Sequence, residues 1–208
     1  MLARHVKAGG ARVLQLGGST RDLFYYPEGT VQVAVVGPDV KTGLWEQAGV
    51  QAKLPVVARQ QPLSDRLLFQ PDSSVDSVVL LNTLGAAQDV GGFCSEVYRV
   101  LKPGGTFVFI QRVRGGALQP FILGGPPAVA ASTVDLVTEY PRWDFVQADP
   151  ALQAQDLHAV GVAVKPLRGV QQQQDDNFSV DKSAFEQLMK SGSRRSGGAG
   201  GPQGFGKK

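Results

Sequence analysis

An apolar run, Val13-Leu14-Gln15-Leu16, ends in Gly17-Gly18 and passes at once into the polar, helix-compatible stretch Ser19-Thr20-Arg21-Asp22. That order is how a buried strand hands over to a helix across a bound cofactor. The glycines let the backbone turn and approach a ligand, and the helix start offers its N–H groups. The shape is general to nucleotide-binding turns, so the rest of the chain has to supply the sheet around it.

It does so in alternating strand and helix signals, the pattern of an α/β sheet with helices on both faces. Arg12 to Leu16 reads as the first strand and Val31 to Val36 as the second, with a short helix from Thr20 to Tyr26 that Pro27 ends. A helix from Lys41 to Ala48 leads to a third strand around Pro55 to Ala58. Val75 to Leu81 is the fourth, almost continuously apolar, as a parallel strand buried on both faces should be. From Asp89 to Leu101 apolar residues recur at helical spacing, and Pro103-Gly104-Gly105 stops that helix. Thr106 to Arg112 is the fifth strand. Trp143 to Gln147 and Asp156 to Val164, separated by a turn at Pro150, read as an antiparallel pair at the sheet edge. The expected fold is a single Rossmann-like, doubly wound sheet of about seven strands, parallel with an antiparallel edge strand.

A chain of 208 residues can bury one sizeable core. Residues 1–168 are expected to form one domain, and 169–208 to follow as a linker, a short amphipathic helix and a basic Gly/Ser-rich tail. The single cysteine, Cys94, excludes an internal disulfide framework and reads as a buried, inert thiol on an apolar helix face. The two histidines, His5 and His158, have no metal-ligand spacing, so no metal site is expected. No apolar run is long enough to cross a bilayer, and a soluble or peripheral protein is expected. Met1 to Arg12 is basic and acid-free but too short for a complete targeting peptide, and reads as a frayed terminus. From Gln187 onward the ionisable side chains are Lys190, Arg194, Arg195, Lys207 and Lys208. These exceed the chain's net +3 and leave the remainder at about −2. A folded part of that charge is not a general nucleic-acid binder.

Ser74-Val75-Asp76-Ser77-Val78-Val79-Leu80-Leu81-Asn82 is followed by Glu96-Val97-Tyr98-Arg99-Val100 and then Leu101-Lys102-Pro103-Gly104-Gly105 before the next strand. Together with the glycine turn this block resembles the class I S-adenosylmethionine-dependent methyltransferases. The likeness is to the methyltransferase-11 group, which includes the quinone C-methyltransferases, and extends over roughly residues 10 to 165. It implies S-adenosylmethionine as cofactor and assigns its site residue by residue. Gly17, Gly18 and Ser19 are implied under the methionine and ribose parts, Asp39 at the ribose, and Gln60 and Gln61 toward the adenine. Asn82 and Leu84, with Thr83 between them, are implied at the methionine end and the substrate mouth.

The chain departs from the family pattern at several of these places. Gln15 stands where relatives carry an acid, and Ser19 and Arg21 where they carry further glycines. Gly37 stands where they place the ribose carboxylate, with Asp39 two residues later. Asp39 either reaches the ribose through a rearranged turn or caps the helix that follows. Asp76 is either a cofactor contact or a structural hydrogen-bonding residue, and Tyr25 and Tyr26 either line the pocket or pack under the sheet edge. Gln111-Arg112 replaces an acid–histidine pair, so no general base and no catalytic residue is assigned.

Barely a dozen residues precede the first strand and Gly115 to Pro127 reads as a Gly/Pro-rich loop, so no lid is expected and a large substrate or a partner would have to cover the site. Ser183 and Glu186 stand at capping-box spacing within a segment whose Phe178, Phe185, Leu188 and Met189 share one helical face. Residues 178–208, with Phe205 isolated between glycines, are expected either to pack on their own domain or to dock on a protein partner. Two functional readings follow. One is an S-adenosylmethionine-dependent methyltransferase acting on an unidentified small molecule or protein side chain. The other is a catalytically inactive methyltransferase-fold scaffold or accessory subunit that enters a larger assembly through its C-terminal tail. A nicotinamide-dependent Rossmann enzyme fits the Leu-Lys-Pro-Gly-Gly block and the terminal antiparallel pair less well. Similar domains occur in plant and algal plastids, so the resemblance alone implies an organelle, the plastid stroma, as location.

Overall fold

The computed structural model describes residues 2–62, 67, 70–114, 128–152 and 157–167, all within the compact unit Met1–Leu167. The expectations for Gly115 to Pro127, for the linker and for residues 178–208 lie outside the described residues. Seven strands are formed: β1 (Arg12–Gly17), β2 (Gln32–Gly37), β3 (Val56–Gln60), β4 (Val75–Leu81), β5 (Leu101–Arg112), β6 (Phe145–Leu152) and β7 (Leu157–Val164). They make one sheet in the order β3-β2-β1-β4-β5-β7-β6. The first five run parallel, and β7 runs against both of its neighbours. This is the doubly wound α/β sheet expected from the sequence, with the reversed strand one place in from the edge.

Among the described residues four α-helices accompany the sheet: α1 (Leu2–His5), α2 (Thr42–Gln51), α3 (Val90–Val100) and α4 (Ala131–Thr138). Alternation along the strands divides the core in two. Leu14, Leu16, Val78, Leu80, Phe107 and Phe109 face α3 and α4, where Phe93, Val97, Val134 and Val137 meet them. Val13, Val33, Val35, Val79, Leu81 and Val108 face the other way, onto Leu2, Val6, Leu23 and the Trp45 side of α2. Every position of β4 is buried, which accounts for the apolar run Val78 to Leu81 that follows Asp76 and Ser77.

Three local expectations are corrected. The N-terminal stretch is not frayed at its start, because Leu2 and Val6 are buried in the core. Pro150 lies within β6 opposite Ala159 and not in a turn; β6 is the sheet edge, where a missing backbone donor is tolerated. The short helix expected after the first glycine turn forms, as a 3₁₀ helix, Thr20–Tyr25. Leu101 leaves α3 directly into β5, and a register shift against β4 absorbs the residues up to Thr106. The helix α4 has no counterpart among the elements expected from the sequence.

Asp76 resolves as a structural residue. It sits at the amino edge of β4, where its carboxylate accepts the Arg12 N–H at 3.0 Å and both its oxygens lie 2.9 Å from the Lys102 ammonium. Burial alone would raise its pKa, but the Arg12 N–H and the Lys102 charge outweigh that and hold it below the usual carboxylate value. Arg99 of α3 fixes the connection into β4. Its guanidinium donates to the carbonyls of Leu67 and Gln70 and pairs with Glu96 and Asp72.

Candidate functional site

Because β1 lies between β2 and β4, the connections from β1 and β4 leave in opposite directions, and a crevice opens outside their carboxyl ends. A cleft of about 620 Å³ occupies this place, within the usual range for small-molecule sites. Its floor is the glycine turn at the end of β1. Gly17 and Gly18 have φ of +72° and +84°, the left-handed region. A Cβ on Gly17 would run into the Thr83 side chain, and one on Gly18 would stand 2.6 Å from both Asp22 Oδ2 and Leu81 Cδ1. The turn therefore requires glycine at both places, for conformation and for room.

Gln15, the replacement for the expected acid, is fully buried beneath the turn. Its Nε2 donates to the Gly17 carbonyl at 2.9 Å and its Oε1 accepts the Tyr26 hydroxyl at 2.8 Å. The Tyr26 phenol is held protonated, its pKa pushed up by burial and by the charge of Asp22. Tyr26 thus supports the turn from behind, while Tyr25 is exposed and is not among the lining residues. On the open side, the Ser19 N–H donates to the Asp22 carboxylate at 2.5 Å, the reach-back expected of a capping pair three residues apart.

Gly17, Gly18, Ser19, Asp39 and Asn82 all line the cleft. Asp39 does not cap α2, whose N-cap position is Lys41. Asn82, with φ of +55°, accepts the Arg112 N–H at 2.7 Å and donates its own N–H to Ile110, tying the ends of β4 and β5 together. Thr83 donates to the Leu16 carbonyl at 3.2 Å. The other three assigned residues are not among those lining the cleft. Leu84 is a core residue, 2% exposed, and its N–H is bound by Gln111. Gln60 and Gln61 brace the turn after β2, through the Gln60 amide on the Pro38 carbonyl and the Gln61 N–H on the Gly37 carbonyl.

Sequence reasoning missed Asp22 and Trp45, both of which line the cleft. The spacing of Ser19 and Asp22 would have signalled the first, whereas nothing in the pattern around Trp45 distinguishes a cleft wall from a core anchor. Gln111, where a base was sought, is completely buried and bonds to the Leu84 N–H and the Arg112 carbonyl. Among the described residues no group of three or more His, Cys, Asp or Glu is arranged to hold a metal, and no helix is long and apolar enough to cross a membrane.

The sheet order, the glycine turn and the cleft at the switch point coincide with a sequence match: residues 11–109 fit the family described as a methyltransferase domain. Over that stretch the chain is similar to methyltransferase domains. Solved structures agree on the fold. The 4+2 cyclase SpnF superposes with a TM-score of 0.62 at 15% identity, covering 80% of this chain and 78% of that one. An S-adenosylmethionine-dependent methyltransferase from Methanosarcina mazei gives 0.56 at 14% identity, covering 79% and 96%. The methyltransferase bound to the Trm112 methyltransferase activator of Haloferax volcanii gives 0.57 at 17% identity, covering 79% and 87%. No curated protein matches the sequence. The described cleft lies where the carboxyl ends of the central strands meet, and the charged side chains among its lining residues are Asp22 and Asp39.

Proposed function

We propose that the protein binds S-adenosylmethionine above Gly17-Gly18 and transfers its methyl group to an acceptor that enters past Thr83 and Ile110. The observation that carries this reading is the charge of the cleft. Asp22 and Asp39 line it, and among the described residues no Lys, Arg or His does. A dinucleotide or nucleoside triphosphate would bring phosphates against two carboxylates. A sulfonium nucleoside brings a cation, ribose hydroxyls in need of acceptors and a base with apolar faces.

The bound cofactor supplies a methyl group that is already activated. The chain has to hold it in line with the acceptor and exclude water. Gly17 and Gly18 admit the ligand close to the backbone, and Asp39 accepts from the ribose hydroxyls. Val40 and Trp45 form the apolar wall for the base. Asn82 and Thr83, anchored on Arg112 and Leu16, fix the rim at the methionine end, while Gln60 and Gln61 act from behind by bracing the Gly37-Pro38 turn. With Gln111 buried, the end of β5 offers no base, so the reading favours an acceptor that is nucleophilic without one.

One observation favours the second reading, a scaffold that no longer turns over. The position that carries an acid in relatives is here a buried amide engaged at both ends, and the same fold in SpnF belongs to a 4+2 cyclase, so the fold alone does not dictate methyl transfer. Docking of residues 178–208 on a protein partner belongs to either reading, and the Haloferax methyltransferase in complex with its activator is in keeping with it. A plastid location rests on the sequence resemblance alone. Equilibrium dialysis of the full chain with methyl-labelled S-adenosylmethionine, followed by mass spectrometry for S-adenosylhomocysteine with quinone and protein acceptors present, separates the two. Micromolar binding with product formation supports the enzyme. Affinity no better than about millimolar, roughly −4 kcal/mol, supports the scaffold.

A further inference from the structure

We propose that Asp22 is a specificity-determining residue of this cleft, selecting the positively charged sulfonium over the neutral thioether that methyl transfer leaves behind. The inference rests on the cofactor reading above and deepens it. Asp22 comes from the 3₁₀ helix that follows the glycine turn, and its carboxylate does not swing in solvent. One oxygen accepts the Ser19 N–H at 2.5 Å and lies 2.6 Å from where a Cβ on Gly18 would stand, so the negative charge is held beside Gly18 at the lining of the cleft. Its field also reaches the buried Tyr26 phenol behind the turn. Arg21 and Lys41 are close in sequence but neither lines the cleft, so no cationic side chain among the lining residues offsets Asp22 there.

In the transfer step the sulfur–methyl bond breaks, its electron pair stays on sulfur and the methyl joins the acceptor. The ligand thereby loses its positive charge. A carboxylate fixed beside Gly18 at the cleft favours the ligand before that step and not after it, which gives substrate retention and product release from one side chain. Asp39, read as the ribose acceptor, would meet the same hydroxyls in both ligands and so should not discriminate between them.

The test is calorimetric titration of the full chain, wild type and Asp22→Asn, with S-adenosylmethionine and with S-adenosylhomocysteine. The amide keeps an oxygen for the Ser19 N–H. In the variant S-adenosylmethionine should weaken about tenfold, about 1.4 kcal/mol, and S-adenosylhomocysteine less than about threefold, whereas Asp39→Asn should weaken both alike. Should Asp22→Asn fold poorly, the wild type reports the same property: raising the salt concentration should weaken the sulfonium ligand and spare the thioether. Equal losses for both ligands in Asp22→Asn, or equal salt dependence, would overturn the selectivity while leaving the cofactor reading intact. Failure of both ligands to bind the wild type would overturn the two together.

Discussion

Tyr26 and Gln15 show how a single substitution in a motif changes the role of a residue without loosening the turn it belongs to. A carboxylate beneath Gly17 could only accept hydrogen bonds, whereas the Gln15 amide donates to the Gly17 carbonyl and accepts from Tyr26, so the turn is held from inside. Tyr26→Phe would leave a buried amide oxygen without that donor, and we expect a stability loss of about 1–3 kcal/mol in urea unfolding; an unchanged midpoint would show that the strut is not needed. Asp76 gives a pH-dependent counterpart. Its folded pKa is lowered, so the stability it contributes is fully present above the ordinary value of 3.8 and is lost as pH falls through the lower folded value. Asp76→Asn should therefore be less stable than the wild type at neutral pH, and the gap should close in acid; a gap constant with pH would contradict the assignment. At this scale, Gly17, Gly18, Ser19, Asp39 and Asn82 could be read to the lining of the cleft because they follow strand ends directly. Asp22 is announced only by its capping spacing from Ser19, because the direction of its side chain depends on a 3₁₀ turn whose pitch the sequence leaves open. Leu84, expected at the methionine end, is instead buried, since the chain re-enters the core one residue after Thr83.

Among the elements, Leu67 and Gln70 to Ser74, ahead of β4, are held by polar clamping. Arg99 reaches two carbonyls and two carboxylates, and the backbone N–H groups of Ser73 and Ser74 return to the carbonyls of Arg99 and Val100. Arg99→Ala should cost about 2 kcal/mol and speed amide exchange across residues 70–74, with only partial rescue by Lys, whose point charge cannot serve carbonyls and carboxylates together. Full rescue by Lys would reduce the clamp to simple charge. The strands were legible because period and length identify them, and β4 most clearly because it is apolar on both faces. Pro150 misled because a proline reads as a turn wherever the strand's place in the sheet is unknown, and only an edge strand such as β6 accommodates it. The helix α4 was missed because eight residues with Val134 and Val137 as their buried positions give a weak period.

At the scale of the whole molecule, the tail and the cleft make separate claims. The sequence after Ser191 lacks any apolar period, and its deletion should shift the thermal midpoint by less than about 2 °C, under about 1 kcal/mol for a chain of this length. Earlier melting would contradict a docking arm that acts on a partner. The central claim concerns the cleft, and hydrogen–deuterium exchange of the full chain with and without S-adenosylmethionine tests it most directly. The ligand should slow exchange at residues 17–22, 37–41 and 81–86 together, the three strand ends that line the cleft, and leave the amino edge around Asp76 unchanged. Protection confined to other segments, or none at ligand concentrations up to about a millimolar, would contradict it.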